Sequence, residues 1–229
     1  MSAWENIVNV LAISAHPDDE TLGCGGTLLK HRALGDRVHW LIVTRAYSPQ
    51  WSAALLRRKA GEVERVARAY GVSRYLHLDF PSTQLDTIPV SSMIAELRQV
   101  IAALRPRVVY LVHGGDVHSD HRAVFEATTA VLKSFRMAAL GVRRLLSYET
   151  LSSTDAAPPS PDRAFAPLVF TDITPYLERK LKIMALYRTE AQRDPLPRAP
   201  SAIRALARVR GATVGVRYAE AFMLIREVD

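Results

Sequence analysis

Short apolar runs alternate with stretches of helical periodicity over the first 135 residues, and this alternation is the strongest constraint on the fold. The runs at 7–14, 38–44, 75–78 and 108–112 have the length and composition of strands that are buried on both faces. Strands joined by helices imply right-handed crossovers, which predict a parallel sheet with helices on both faces. The helices are predicted at about 21–34, 52–70, 91–104 and 119–135, with Ser119 as the N-cap of the last one.

The second half of the chain has a less regular pattern. The whole pattern predicts an α/β fold, a Rossmann-like three-layer sandwich whose mostly parallel sheet carries the active site at the strand carboxyl ends. With 229 residues we expect a single domain, with a core over about 1–150 and substrate-side elements over about 151–229. Later strands are predicted at 144–150, 169–173 and 221–226, helices at 177–187 and 202–209, and a proline-rich loop or lid at 194–200.

Composition excludes several classes of protein. With 48% hydrophobic and 23% charged residues the chain has the balance of a globular protein, and no apolar stretch approaches the roughly 18 residues of a membrane span. The opening residues Trp4, Glu5 and Asn6 lack the basic and then apolar layout of a secretory signal. The single cysteine, Cys24, excludes an internal disulfide and fits a reducing compartment, so a cytoplasmic location is predicted.

The net charge of the chain is +7, and the basic excess is concentrated near the C-terminus. Residues 179–217 contain ten basic side chains and two acidic ones. One interpretation is a solvated surface, and the other is an anionic substrate or membrane surface near Arg193 and Arg198, because arginine pairs well with phosphate. A nucleic-acid partner is not expected, since the basic residues are not interleaved with stacking aromatics and no binding motif accompanies them.

The first polar cluster, at residues 15–20, follows the first predicted strand. A histidine and carboxylates in a short loop are typical ligands for zinc, which a catalytic site holds with three protein groups and an open water position. Neighbouring residues point in different directions, so Asp19 could face a metal while Asp18 faces the water on it. The alternative is a turn in which Asp18 or Asp19 only caps the next helix, which leaves His16 and Glu20 unexplained.

The second polar cluster, at residues 113–121, follows the fourth predicted strand and contains three of the seven histidines of the chain. His118 and His121 are three residues apart, so on a helix they share a face and can converge on one ion. The alternative for each is a hydrogen-bonded loop histidine. Because both clusters lie at strand carboxyl ends, neighbouring parallel strands would bring them together.

At these two clusters the sequence resembles the LmbE-like, PIG-L family of metal-dependent N-deacetylases, which act on N-acetylglucosamine-containing small molecules and lipids. The similarity lies in the signature at 15–21 with Gly25 and Gly26, and in the signature at 116–123. It extends to Leu85, to 148–149, to 171–173 and to 215–222, so it covers nearly the whole chain.

The resemblance implies roles for particular residues. Zinc, or Fe²⁺ or another divalent metal, would be bound by His16, Asp19 and His121, leaving a position for water. The resemblance further implies that Asp18 is the general base, that His118 acts as an imidazolium near the departing amine or the developing oxyanion, and that Asp120 is an orienting carboxylate. Asp116 stands where some members have a tyrosine that helps to hold the oxyanion, so the oxyanion donor is left open.

The implied reaction is removal of an acetyl group from an N-acetylglucosamine-type sugar or glycoconjugate, with a small molecule as the partner and homo-oligomerisation left open. Substrate contacts are predicted for Arg45, Asp116, Tyr148 and Glu149, with Tyr47 and Trp51 near Arg45. The alternatives are an amidase for a different acyl group and a catalytically silent sugar-binding homologue; Asp18, which is not needed to hold metal, argues against the second. Nucleotide binding is disfavoured because residues 23–26 lack the G-x-G-x-x-G spacing.

Overall fold

The computed structural model describes residues 7–229, so the prediction made from Trp4, Glu5 and Asn6 lies outside the described residues. Within these described residues, seven strands form one sheet in the order β3-β2-β1-β4-β5-β7-β6. Strands β1 to β5 are parallel to one another, and β7 runs antiparallel to β5 and β6, which confirms the mostly parallel α/β sheet. The strands are β1 (Asn9–Ser14), β2 (Arg37–Arg45), β3 (Arg74–Pro81), β4 (Val108–Val112), β5 (Arg144–Tyr148), β6 (Val169–Asp172) and β7 (Ala219–Glu227).

Helices cover the sheet in two groups, which gives three layers. In one group α6 contacts α1, α2 and α7, and α1 also contacts α2; in the other group α3 contacts α4. None of the helices within 7–229 is long and apolar enough to cross a membrane. The helices are α1 (Asp19–Ala33), α2 (Ala53–Tyr70), α3 (Val90–Leu104), α4 (Ser119–Val131), α5 (Ser134–Met137), α6 (Leu177–Met184) and α7 (Pro200–Thr213), with 3-10 turns at Leu85–Thr87 and Pro161–Arg163.

The observed helices differ from the predicted ones in three places, and one of them is α6, which ends at Met184 instead of residue 187. The helix predicted to reach residue 135 is interrupted at Leu132, whose backbone is not helical, so α4 and α5 are separate. The last helix begins at Pro200 and ends at Thr213, longer than the predicted 202–209, because proline suits the first turn of a helix, where its missing N–H costs nothing.

The centre of the sheet determines where the two polar clusters lie. Strand β1 pairs with β2 on one side and with β4 on the other, and Ile13 of β1 lies beside Leu111 of β4. The chain therefore leaves the neighbouring carboxyl ends of β1 and β4 in opposite directions, which opens a crevice between the two loops. The loops that follow these strands carry the first and second polar clusters.

The glycines at the start of α1 allow close packing rather than nucleotide binding. A Cβ atom on Gly23 would lie 2.0 Å from the ring of Tyr148, and one on Gly26 would lie 2.7 Å from Ile173. Only a residue without a side chain lets β5 and the segment after β6 approach α1 so closely. Cys24, between these glycines, is completely buried, as the sequence predicts for a structural thiol.

Candidate metal centre and catalytic cavity

The structure brings the three predicted metal ligands together. His16 lies in the loop after β1, Asp19 is the first residue of α1, and His121 lies in the first turn of α4. One ligand atom from each of the three lies within 4.8 Å of the others. Residues 105 positions apart in the sequence (121 minus 16) therefore meet at one point.

Carboxylates outside this group hold both histidine rings. The His16 ring contacts Asp120 through Nε2, at 2.8 Å, and the His121 ring contacts Asp116 through Nδ1, at 2.6 Å. The opposite nitrogens face Asp19: His16 Nδ1 is 3.9 Å from Oδ2 and His121 Nε2 is 3.3 Å from Oδ1. A carboxylate on the outer nitrogen is the usual arrangement for a histidine that binds a metal.

The charges in this group fit a divalent cation. Burial alone would raise the pKa of Asp19, but His121 and His16 outweigh it and lower that pKa to about 2. Burial would lower the pKa of His121, whereas Asp19 and Asp116 raise it to about 10. Two imidazoles and one carboxylate are a ligand set that suits zinc and related divalent ions, and the residues present therefore fit the implied metal.

Asp18 faces the cavity beside this group, and its backbone has a left-handed conformation with φ of 107°. Its side chain makes no capping hydrogen bond to α1, so the interpretation of Asp18 as only a helix cap is not supported. Burial is the main cause that raises the pKa of Asp18 well above its usual value; the charges of Asp19 and Glu190 add to this, and Arg198 opposes it. Its Oδ2 lies 3.0 Å from Nη1 of Arg198.

Glu20, which the helix-cap interpretation left unexplained, is completely buried behind the site. Its carboxylate accepts hydrogen bonds from Thr21 Oγ1 at 2.5 Å and from the Tyr187 hydroxyl at 2.8 Å. Burial raises its pKa to about 7. Glu20 therefore anchors the first turn of α1 and does not face the cavity.

His118 is the N-cap residue of α4, one position before the predicted cap Ser119. Its Nδ1 accepts a hydrogen bond from the Asp120 backbone N–H at 3.2 Å, which leaves Nε2 to carry the ring proton. Burial, then the neighbouring His16 and His121, lower its pKa to about 4. The hydrogen bond to Nδ1 favours a ring that donates from Nε2, and the lowered pKa favours its neutral form; the catalytic role of His118 stays a prediction.

Loop residues that the sequence analysis missed hold the two outer carboxylates. The Thr83 backbone N–H donates to Asp120 Oδ2 at 2.7 Å, and the Thr154 hydroxyl donates to Asp116 Oδ1 at 2.6 Å. Threonines in loops carry no sequence pattern for such a role, because only the folded chain brings them to these carboxylates. Asp116, predicted to contact substrate, is 1% exposed and is placed behind His121.

Two further predicted substrate contacts also lie away from the cavity. Tyr148 is completely buried, and its hydroxyl donates to the Ile13 carbonyl at 2.9 Å. Glu149 binds Arg210 through both carboxylate oxygens, at 2.7 and 2.6 Å, outside the main cavity. Tyr148 is the last residue of β5 and Glu149 follows it, but the side chain of Tyr148 points into the core and that of Glu149 points towards α7.

The cavity over the site has a volume of about 1000 Å³ and opens at the carboxyl ends of the strands, where the site was predicted. Arg45 and Trp51, both singled out in the sequence, line it, and Tyr47 packs edge-on against Trp51 with ring centroids 5.6 Å apart. Its metal end is lined by His16, Asp18, Asp19, His118, His121 and three small polar residues, Thr150, Ser152 and Ser153.

The proline-rich segment 194–200 contributes one arginine to the cavity wall. Arg198 Nη1 lies 3.0 Å from Asp18 and 2.9 Å from Glu190, and Glu190 also binds Lys59 of α2. We call Asp18, Arg198, Glu190 and Lys59 the rim cluster. Arg193, the other arginine predicted to meet an anionic substrate, is exposed and does not line the cavity. The guanidinium of Arg198 is thus already held by two carboxylates.

Comparison with known proteins agrees with the resemblance seen in the sequence. The family model of GlcNAc-PI de-N-acetylases (PIG-L) matches residues 11–132, just over half of the 229 residues. The diacetylchitobiose deacetylase of Thermococcus kodakarensis is 28% identical, over 97% of this chain and 85% of that protein. The uncharacterized deacetylase YaiS of Escherichia coli is 28% identical, over 72% of this chain and 81% of that protein.

A solved structure supports the fold over the length of the chain. The crystal structure of the conserved protein TT1542 from Thermus thermophilus superimposes with a TM-score of 0.77 and 28% identity, over 97% of each chain. The likeness includes the C-terminal elements that follow the matched family segment.

Proposed function

Since this chain belongs to the PIG-L family of deacetylases, we propose that it is a metal-dependent hydrolase that removes the acetyl group from an N-acetylglucosamine-type sugar or glycoconjugate. The observation that carries the proposal is the geometry of the site. Two histidines, each held by a carboxylate on its outer nitrogen, face Asp19, and Asp18 lies beside them in the cavity.

The proposed metal ligands are His16, Asp19 and His121, with Asp120 and Asp116 holding the rings in place. Zinc, Fe²⁺ or another divalent ion bound there would supply a Lewis acid for the acetyl carbonyl and a water with a pKa near 7.

Asp18 is proposed to move the proton. As a carboxylate facing the cavity it accepts the proton of the attacking water, and it then delivers that proton to the amide nitrogen as the C–N bond breaks. The guanidinium of Arg198, 3.0 Å from Asp18 Oδ2, favours the carboxylate form that accepts the proton. The products are acetate and the free amine of the sugar.

His118 is proposed as the oxyanion donor, the role that the sequence left open. Its Nδ1 accepts from the Asp120 backbone, so its Nε2–H is available to the cavity as a hydrogen-bond donor. A donor that is fixed before the reaction stabilises negative charge on the carbonyl oxygen without reorganising. A neutral ring is sufficient for this role.

The test is acetate and amine release by the metal-loaded protein from N-acetylglucosamine and its glycosides, with N-propionyl and N-benzoyl analogues as a second panel. We expect release from the N-acetyl sugars. Amine release only from the N-propionyl or N-benzoyl analogues would favour the amidase alternative. Metal binding without release of any amine would favour the catalytically silent homologue. A single domain over 1–229, a cytoplasmic location and a homo-oligomer stay predictions.

A further inference from the structure

The cavity continues from the metal end into a trough between α2 and β3. Leu56, Ala60 and Val63 line it from α2 at spacings of four and three residues, which place them on one face of the helix. Tyr75 lines it from β3, and Trp51 lines it just before α2 begins. We call these five residues the α2–β3 trough.

The trough is longer than the site needs for an acetamido sugar alone. Ser82 lines the cavity where β3 ends, and Tyr75 lies seven residues earlier along the extended strand, a span of about 23 Å. The volume of about 1000 Å³ reaches the top of the range of roughly 300–1,000 Å³ found for pockets that hold drug-sized ligands. A single sugar ring bound at the metal end would leave the trough to water.

The charges in the wall argue against a phosphate group as the natural occupant of the trough. Arg45 is paired with Asp79 at 2.9 Å, and Lys59 is paired with Glu190. Arg198 is paired with both Asp18 and Glu190. These are the three lysine and arginine side chains in the wall of the cavity within 7–229, and each already has a carboxylate partner.

We propose that the substrate is an N-acetylated amino sugar with an uncharged, apolar aglycone, and that the aglycone lies in the α2–β3 trough. The proposal rests on the proposed function, because the acetamido group has to lie at the metal end. Exposed aromatic and aliphatic side chains at one end of a cavity bind an alkyl or aryl group by removing apolar surface from water. The Trp51 indole and the Tyr75 ring, which is 42% exposed, provide this surface.

The experiment compares three substrates with the metal-loaded wild type: N-acetylglucosamine, its hexyl β-glycoside and its 1-phosphate. We expect kcat/KM for the hexyl glycoside to exceed that for each of the others by about tenfold or more, the size of effect that a pocket contact with one or more methylenes produces. Calorimetric titration with the hexyl glycoside and with N-acetylglucosamine measures binding separately, with metal-free protein as well.

Ala60→Glu tests the location of the aglycone. Ala60 is exposed on the trough face of α2, so a carboxylate placed there fills the trough with charge and removes no core packing. In this variant we expect the ratio of kcat/KM for the hexyl glycoside to kcat/KM for N-acetylglucosamine to fall to about one or two. Ala54→Glu is the matched control, since Ala54 is exposed on the same helix and does not line the cavity. It should keep the preference of the wild type.

The outcomes separate the trough from the deacetylase function. Acetate release at similar kcat/KM from all three substrates would overturn the trough and leave the function standing. If none of the sugars releases acetate, the proposed deacetylase function is wrong, and the titrations then test aglycone binding in the trough separately. Binding of the hexyl glycoside to the wild type but not to Ala60→Glu would support the trough as the aglycone site. Any other binding result would overturn it. A change of molar mass in Ala60→Glu alone, measured by light scattering, would assign the trough to a second copy of the chain and overturn the proposal.

Discussion

The two ends of the cavity are built in different ways. At the metal end, Asp19 and His121 are 3% and 1% exposed, and each histidine ring is held by a carboxylate. At the other end the trough comes from α2, β3 and the residues just before α2, and four of its five side chains, all except Val63, are at least partly exposed. A change of one side chain at the metal end therefore disturbs several hydrogen bonds, whereas the trough can change to suit a substrate without disturbing the residues proposed for the chemistry.

The largest effect is expected at the metal end, from His121→Ala. The variant loses one of three proposed ligands, so metal content should fall from about one ion per chain to nearly none, and activity should fall with it. Elemental analysis of protein purified without chelators measures this. His113→Ala is the control, because His113 belongs to the same polar cluster but binds the Arg163 carbonyl instead. Full metal content in His121→Ala would remove His121 from the ligand set.

Asp18→Asn should separate the chemistry from metal binding. The amide keeps the size of the side chain and cannot accept the proton of the water, so turnover should fall by about 10²–10⁴-fold while metal content persists. Steady-state kinetics and elemental analysis on the same preparation give both values. Near-normal turnover with metal bound would show that Asp18 is not the base.

Asp116→Asn should have a smaller effect at the same end. The residue holds His121 from outside, and loss of such a partner lowers metal affinity by about 10–100-fold. Competition with a chromogenic chelator measures the affinity. Thr154→Val removes only the hydroxyl that holds Asp116, so it should lower the affinity less than Asp116→Asn does. The reverse order would mean that Asp116 acts in some other way than through His121.

Arg198→Ala probes the rim cluster and should lower kcat by about tenfold, since a hydrogen bond between charged groups contributes about 1.5 kcal/mol or more. Asp18 loses its guanidinium partner, while the metal ligands remain, so metal content should not change. Arg193→Ala, at an exposed residue just before the segment 194–200, should leave kcat unchanged. If the two variants behave alike, Arg198 does not position Asp18.

The smallest effect concerns added salt. From the sequence, the basic residues at 179–217 predict that activity on a phosphorylated sugar falls steeply with added salt, because salt screens exposed charges. In the structure Arg198 is already paired with two carboxylates, so the rates with phosphorylated and neutral sugars should change by less than about twofold relative to each other. A steep loss confined to the phosphorylated sugar would restore the anion-binding interpretation of this segment.

The sequence could predict the elements and the place of the site because those depend on local patterns. Strand β4 has the predicted bounds, and α2 ends at Tyr70 as predicted, followed by Gly71 as its cap, whose φ of 65° suits glycine. His16 and His121 carry the signatures of the family, and their positions after parallel strands put them at one edge of the sheet.

The partners of individual side chains could not be predicted in this way. Asp116 and Glu149 follow strands and Tyr148 ends one, yet they contact His121, Arg210 and the Ile13 carbonyl instead of the cavity. The ending of a strand places a residue at the correct edge of the sheet, but the direction of its side chain depends on what packs against it. Gly23 shows this for Tyr148, whose ring occupies the space that a Cβ atom would need.

The sequence by itself determined the parallel sheet, the two polar clusters and the family, because hydrophobic periodicity and short motifs are local properties of the chain. Only the tertiary structure decided that Arg198 meets Asp18 across 180 positions, and that Leu56 and Tyr75 line one trough. The physical reason is that such contacts depend on how helices and strands pack together, which no short stretch of sequence specifies.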